Sequence, residues 1–149
     1  MATEIASEAL MGETLVRAAR GWIGTPYQHQ ASLKGVGCDC LGLLRGVWRD
    51  LRGAEPEIVP PYAPDWAGDG AETMYEAFAR HLRAVLPDEL TPGDVALFRM
   101  TARGPARHCG IVAARAGRLT LIHARQNKQV SEELLSRSWR ARLAGLFRL

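Results

Sequence analysis

Apolar residues recur at helical spacing in three places along the chain. Leu15, Val16, Ala19, Trp22 and Ile23 form the first set, which Gly24-Thr25-Pro26 ends. Leu41, Leu43, Leu44, Val47, Trp48 and Leu51 form the second, closed by Gly53. Met74, Phe78, Leu82 and Val85 place a third helix over 71–85. Past residue 90 the texture changes. Thr91-Pro92-Gly93-Asp94 is a turn signal, followed by the short apolar run Val95-Ala96-Leu97-Phe98. Ile111-Val112-Ala113 and Leu119-Thr120-Leu121-Ile122 flank Gly117 and read as a β-hairpin, and residues 144–149 supply a closing strand. Helices first and strands later predict an α+β domain with a mostly antiparallel sheet. Residues 1–12 show little pattern and are expected to be a frayed lead-in to a single domain over 13–149. Residues 55–70, rich in proline, glycine and acidic residues, are expected to form a long loop carrying Tyr62 and Trp66. That loop would line a groove, dock a partner or pack back on its own domain.

Composition narrows the class. The chain has 149 residues, 47% of them hydrophobic, with 23% charged, enough for one core of its own. Mean hydropathy is −0.12 and the longest apolar runs are a few residues, far short of the ~20 that span a bilayer, so no membrane span is expected. A cationic start with an apolar core and cleavage site is not apparent, so no secretory signal is expected. Net charge is +3, and all but Lys34 and Lys128 of the 19 basic residues are arginine. These arginines are scattered, with no basic stripe interleaved with aromatics, which argues against a nucleic-acid partner.

Three cysteines, at 38, 40 and 109, are an odd set for a disulfide framework, and Cys38-Asp39-Cys40 is one residue too tight for the usual zinc spacing. No metal or other cofactor is expected. Cys40 falls at the predicted start of the second helix, where free N–H groups and the helix dipole favour a thiolate, and Asp39 stands at the N-cap position. A thiolate nucleophile needs a base. Of four histidines, His108 and His123 lie on the two strands of the predicted hairpin and come close to opposite one another across its turn. One imidazole would face the thiol while the second orients the first. His29, in the loop before Cys40, is the runner-up, and His81 reads as part of a solvated helix face.

These residues resemble a known family. Asp39-Cys40-Leu41-Gly42-Leu43 is similar to the Asp-Cys-Ser-Gly-Leu segment of the NlpC family of cell-wall cysteine peptidases, which are papain-like. Gly24-Thr25-Pro26-Tyr27, Leu90-Thr91-Pro92-Gly93-Asp94-Val95, His108-Cys109-Gly110-Ile111-Val112 and Ile122-His123-Ala124 resemble four further family motifs, in the same order. The Cys-Asp-Cys-Leu-Gly-Leu variant most resembles the branch found in phage tails and gene transfer agents.

The resemblance implies N-terminal helices, with the nucleophile at a helix start, packed on the sheet. It implies hydrolysis of peptidoglycan stem peptides, often between D-glutamate and diaminopimelate. Cys40 would be the nucleophile, His108 the base and later acid, and His123 the orienting third member. Tyr27 would hold the cleft or the oxyanion, and Asp39 would cap the helix or recognise a substrate amine. Tail-hub or tail-tip proteins would be its partners. The chain would be made in the cytoplasm, carried in a phage-like tail and act on the periplasmic wall. Two other readings keep the same residues: a catalytically silent tail component, and a thiol-dependent acyltransferase or amidase. Leu41 departs from the family's serine. Cys38 and Cys109 are read mainly as packing residues, with oxidative inactivation as the alternative.

Overall fold

The computed structural model describes residues 1–63 and 71–149. Trp66, placed in the long loop by its composition, lies outside the described residues. In chain order the elements are α1 (Ala2–Arg20), β1 (Ser32–Leu33), β2 (Gly37–Cys38), α2 (Cys40–Arg52), α3 (Thr73–His81), β3 (Arg83–Val85), a 3-10 turn (Pro87–Glu89), β4 (Val95–Arg99), β5 (Ala106–Arg115), β6 (Arg118–His123), β7 (Ser131–Leu134), α4 (Arg137–Ala141) and β8 (Leu143–Arg148). Strands β3-β8-β4-β5-β6-β7 form one six-stranded sheet in that spatial order, every neighbouring pair antiparallel.

The sheet divides the core into two layers. On one face α2 presents Leu43 and Val47 to Leu15, Val16, Ala19 and Trp22, over Ile111, Ala113 and Ile122 of the sheet. The same helix turns Leu41 and Leu44 toward Met74 and Phe78 of α3, over Leu97, Cys109 and Phe147. The opposite face is closed by Leu135 and Trp139, packed on Phe98, Val112, Leu121 and Leu146. Period-2 alternation therefore sends successive residues of β4, β5 and β6 to different partners. No helix among the described residues is long and apolar enough to cross a membrane.

Several elements differ from the sequence expectation. The first helix begins at Ala2 rather than Glu13, so residues 2–12 continue it toward the N-terminus. Alanine, glutamate, leucine and methionine favour helix by intrinsic propensity, although positions 1–10 are all exposed and so carry no burial pattern. The helix placed over 71–85 ends at His81. From Leu82 the backbone is extended, and Arg83–Val85 pairs with β8 as an edge strand. Val85 is buried there among residues of the far face rather than with Met74 and Phe78.

The turn signal at 91–94 closes as expected. The Thr91 N–H donates to Asp94 Oδ2, and Asp94 is held in turn by Arg148 of β8, with Nε 2.7 Å from Oδ1 and Nη2 3.0 Å from Oδ2. The β5–β6 hairpin turns on Ala116-Gly117, both with positive φ, between the paired residues Arg115 and Arg118. That two-residue turn matches the twist of the strands it joins and sets the register of the whole hairpin. A bulge interrupts β5 as well: Phe98 pairs with His108 but Arg99 with Ala106, so Arg107 is the extra residue.

Candidate active site

The start of α2 is built around Asp39. Its Oδ1 accepts from the Gly42 N–H at 2.7 Å, satisfying a first-turn donor as an N-cap should. Its Oδ2 accepts from the Gln30 N–H at 2.7 Å and from the Tyr62 hydroxyl. Asp39 is 2% exposed, its carboxylate turned inward to these three donors. Tyr62 stacks edge-on to His29 with ring centroids 5.3 Å apart, and His29 Nε2 lies 2.8 Å from the Tyr62 carbonyl. His29 is thereby committed to the loop, away from a base's role. His81 lies at the end of α3, 3.1 Å from Glu57.

Cys40 follows as the first residue of α2, partly exposed, with its N–H among those that have no acceptor within the helix. Its thiol is held well below the ordinary thiol range. The hydrogen bond from Cys109 is the largest cause and the hydrogen bond and charge of His108 come next, acting against burial and the charge of Asp39. The other two thiols move the opposite way. Cys109 is pushed well above its usual value by its hydrogen bond with Cys40 and by burial, and its Sγ also lies 3.3 Å from the Cys40 carbonyl. Burial, then Asp39 and Cys40, pushes Cys38 up to about 12. Tyr27 stands beside this group: burial raises its phenol to about 12, with Cys40, Asp39 and Cys38 adding to the shift.

Across the cleft, the imidazoles of β5 and β6 meet. His108 Nε2 lies 2.8 Å from His123 Nδ1. The pair is not formed by residues directly opposite, as the sequence suggested. The turn at 116–117 pairs Ile111 with Ile122, which sets His123 against Gly110 and makes His108 its diagonal neighbour on the same face. Gly110 creates the room: a β-carbon there would sit 3.0 Å from His123 Cβ and 2.7 Å from Leu121 Cδ1.

Two residues that sequence reasoning missed complete the arrangement. Glu133, on β7, is the diagonal neighbour of His123 on its other side, with Oε1 2.6 Å from His123 Nε2. Trp139 of α4 covers both imidazoles, stacked on His108 and edge-on to His123, whose ring centroid is 5.1 Å away. His123 is fully buried, and burial together with the nearby His108 charge lowers its pKa to about 4, which keeps it neutral. The signal available for Glu133 was the Ser-Glu-Glu run soon after His123. That run lacks the apolar alternation that marks a strand.

A cavity of about 580 Å³ runs along the flank of α2, lined by Leu41, Leu44, Tyr62, Met74 and Phe78. It adjoins the cleft without containing Cys40 or His108. Tyr62, placed by composition in a loop able to line a groove, lines this one.

The fold that brings this thiol and the imidazole pair together matches solved structures of one fold. An NlpC/P60 family protein from Bacillus cereus matches over 92% of this chain and 39% of its own, at 20% identity and a TM-score of 0.65. The NlpC/p60 domain of the peptidoglycan hydrolase SagA matches over 93% of this chain and 98% of its own, at 20% identity and a TM-score of 0.61. This chain has the NlpC/P60 fold. No family model matches it. In sequence, the NlpC/P60-fold chain is 30% identical over 135 residues to the γ-DL-glutamyl hydrolase of Bacillus subtilis (strain 168), covering 90% of this chain. It spans 28% of that relative's length.

Proposed function

We propose that this NlpC/P60-fold chain is a cysteine peptidase that hydrolyses peptidoglycan stem peptides. The observation that carries the proposal is the convergence of a lowered Cys40 thiol with His108, itself held 2.8 Å from His123. In the proposed reaction Cys40 gives its proton to His108 and the thiolate attacks the scissile carbonyl. The Cys40 N–H, at the positive end of α2, stabilises the oxyanion of the tetrahedral adduct, with the Tyr27 hydroxyl beside it. His108 then returns the proton to the leaving amine, and water, activated by the same imidazole, hydrolyses the thioester. His123 orients His108 throughout.

The bond we favour is the amide on the γ-carboxyl of D-glutamate, as in a D-glutamyl–diaminopimelate linkage. The support is the γ-DL-glutamyl hydrolase named above, together with the resemblance of the motifs. A setting in a phage-like tail, with tail-hub or tail-tip proteins as partners, rests on the likeness of Cys38-Asp39-Cys40-Leu41-Gly42-Leu43 to the tail-borne branch. The deciding experiment is digestion of purified peptidoglycan with mass analysis of the fragments, using wild type and Cys40→Ala. Fragments ending in free D-glutamate γ-carboxyl groups, absent with the variant, are expected. Intact wall after wild-type treatment, or equal cleavage by the variant, refutes the proposal.

A further inference from the structure

Glu133 has no part in the reaction as described, yet it touches the residue behind the base. Three residues on three adjacent strands, His108, His123 and Glu133, form one diagonal across the sheet, joined by contacts of 2.8 and 2.6 Å. A neutral imidazole carries one N–H and one lone pair, and an ionised carboxylate only accepts. His123 must therefore place its proton on Nε2, toward Glu133. Its Nδ1 is then a lone pair that accepts from the His108 Nε2–H. His108, with its proton on Nε2, keeps a lone pair on Nδ1, the nitrogen not engaged by His123. The base is thus set two residues away from the thiol it serves.

The alternative arrangement shows what is at stake. With the proton of His123 on Nδ1, His108 Nε2 would have to accept and its Nδ1 would carry the hydrogen. No lone pair would then be left for the Cys40 thiol. We propose that Glu133 is a positioning residue that fixes the tautomer of His123 and thereby turns the lone pair of His108 toward Cys40. The charged groups facing its carboxylate are His123 and Arg125, whose Nη1 is 3.9 Å from Oε1. The adjacent Glu132 points to the opposite face, toward Arg20 and Arg115. His123, held neutral by burial and by the His108 charge, passes on orientation without taking a net charge. When His108 is protonated its Nε2–H still donates to His123, so no proton moves to Glu133.

The kinetic part of this inference rests on the peptidase reading, whereas the tautomer does not. The test is nitrogen-15 NMR of the histidine rings in the full chain, for wild type, Glu133→Ala and Glu133→Gln. Wild type is expected to show His123 protonated at Nε2 only, and Glu133→Ala a mixture of both tautomers. Glu133→Gln keeps the Nε2 form because its amide oxygen accepts in the same place. With peptidoglycan as substrate, Glu133→Ala lowers kcat by about 10–100-fold, the usual cost of losing a histidine's outer partner, with KM little changed. The rate of Cys40 alkylation by iodoacetamide shifts to higher pH in the same variant, and Glu133→Gln restores both. An unchanged His123 tautomer in Glu133→Ala overturns the inference. Hydrolysis surviving Cys40→Ala would instead overturn the peptidase reading and leave the NMR result to decide the role of Glu133.

Discussion

The indole of Trp139 lies nearly parallel to the imidazole of His108, with ring centroids 5.4 Å apart and planes 28° apart. Its edge meets His123 at close to a right angle, 87° between the planes. One side chain therefore covers both members of the histidine pair and keeps water from competing for the hydrogen bond between them. Trp139 is 7% exposed and also packs on Phe98. Replacing it by alanine is expected to cost about 3–5 kcal/mol in unfolding free energy, measured by denaturant titration. Trp139→Phe, which retains a ring over His108, is expected to lose less stability and to keep more of the hydrolytic activity.

The three thiols are predicted to differ sharply in reactivity. Near neutral pH iodoacetamide should label Cys40 first, because only its thiol is lowered, and peptide mapping after a short exposure reads this directly. His108→Ala should slow that labelling by removing the neighbouring hydrogen bond and charge. Faster modification of Cys38 or Cys109 would contradict the assignment.

Folding stability should depend on pH through His123. Its pKa is about 4 in the folded chain and near 6.5 when unfolded, so the unfolded state binds more protons between those values. The contribution of neutral His123 is thus fully present above about pH 6.5 and is lost as pH falls toward 4. Its ceiling is on the order of 3 kcal/mol. Unfolding of wild type and His123→Gln, compared across pH 4 to 7, should show a shallower slope for the variant.

Gly110→Ala tests the close approach of β5 and β6. The added methyl would meet His123 Cβ, Leu121 Cδ1 and the Ile122 carbonyl, and β6 cannot give way without moving the imidazole. A stability loss of about 1–3 kcal/mol is expected from overpacking, with a fall in kcat beyond that caused by Ala113→Gly, a control on the same strand.

Glu132→Ala should separate folding from catalysis. This carboxylate is held down to about 2: burial opposes ionisation, and the hydrogen bonds of Arg20, Thr120 and Arg115 overcome it. It ties α1 to the sheet through Arg20, with Nε 3.0 Å from Oε1 and Nη2 2.9 Å from Oε2. Its removal should lower the unfolding free energy by about 1–3 kcal/mol while leaving kcat near wild type.

Much of this arrangement could be read from residue order. Asp39 as helix cap, Cys40 at the helix start and the hairpin around Gly117 follow from local chemistry, which a chain segment carries with it. What escaped depends on register and distant packing. The expected turn centre was displaced by one residue from the observed one, enough to turn a directly opposed histidine pair into a diagonal one. Glu133 and Trp139 sit on short elements of four and five residues, too brief for periodicity to mark. Arg83–Val85 continues the apolar spacing of α3, and only its pairing with β8 makes it a strand. Residues 2–12 lacked a buried face to announce their helix.

Strand β7 bounds the sheet among the described residues, and its outer side offers N–H and C=O groups that a second strand could pair with. Glu132 and Glu133 place a carboxylate on each face of that margin. An incoming strand would have to bring its own side chains against the half-exposed Glu133, an unfavourable match for any apolar segment, whereas Glu132 is buried against Arg20 and Arg115. The neighbouring Leu134, exposed beside Glu133, would otherwise leave an apolar side chain on this border. Glu133, which contacts the buried histidine, thus also sets a charge against edge-to-edge pairing at this margin.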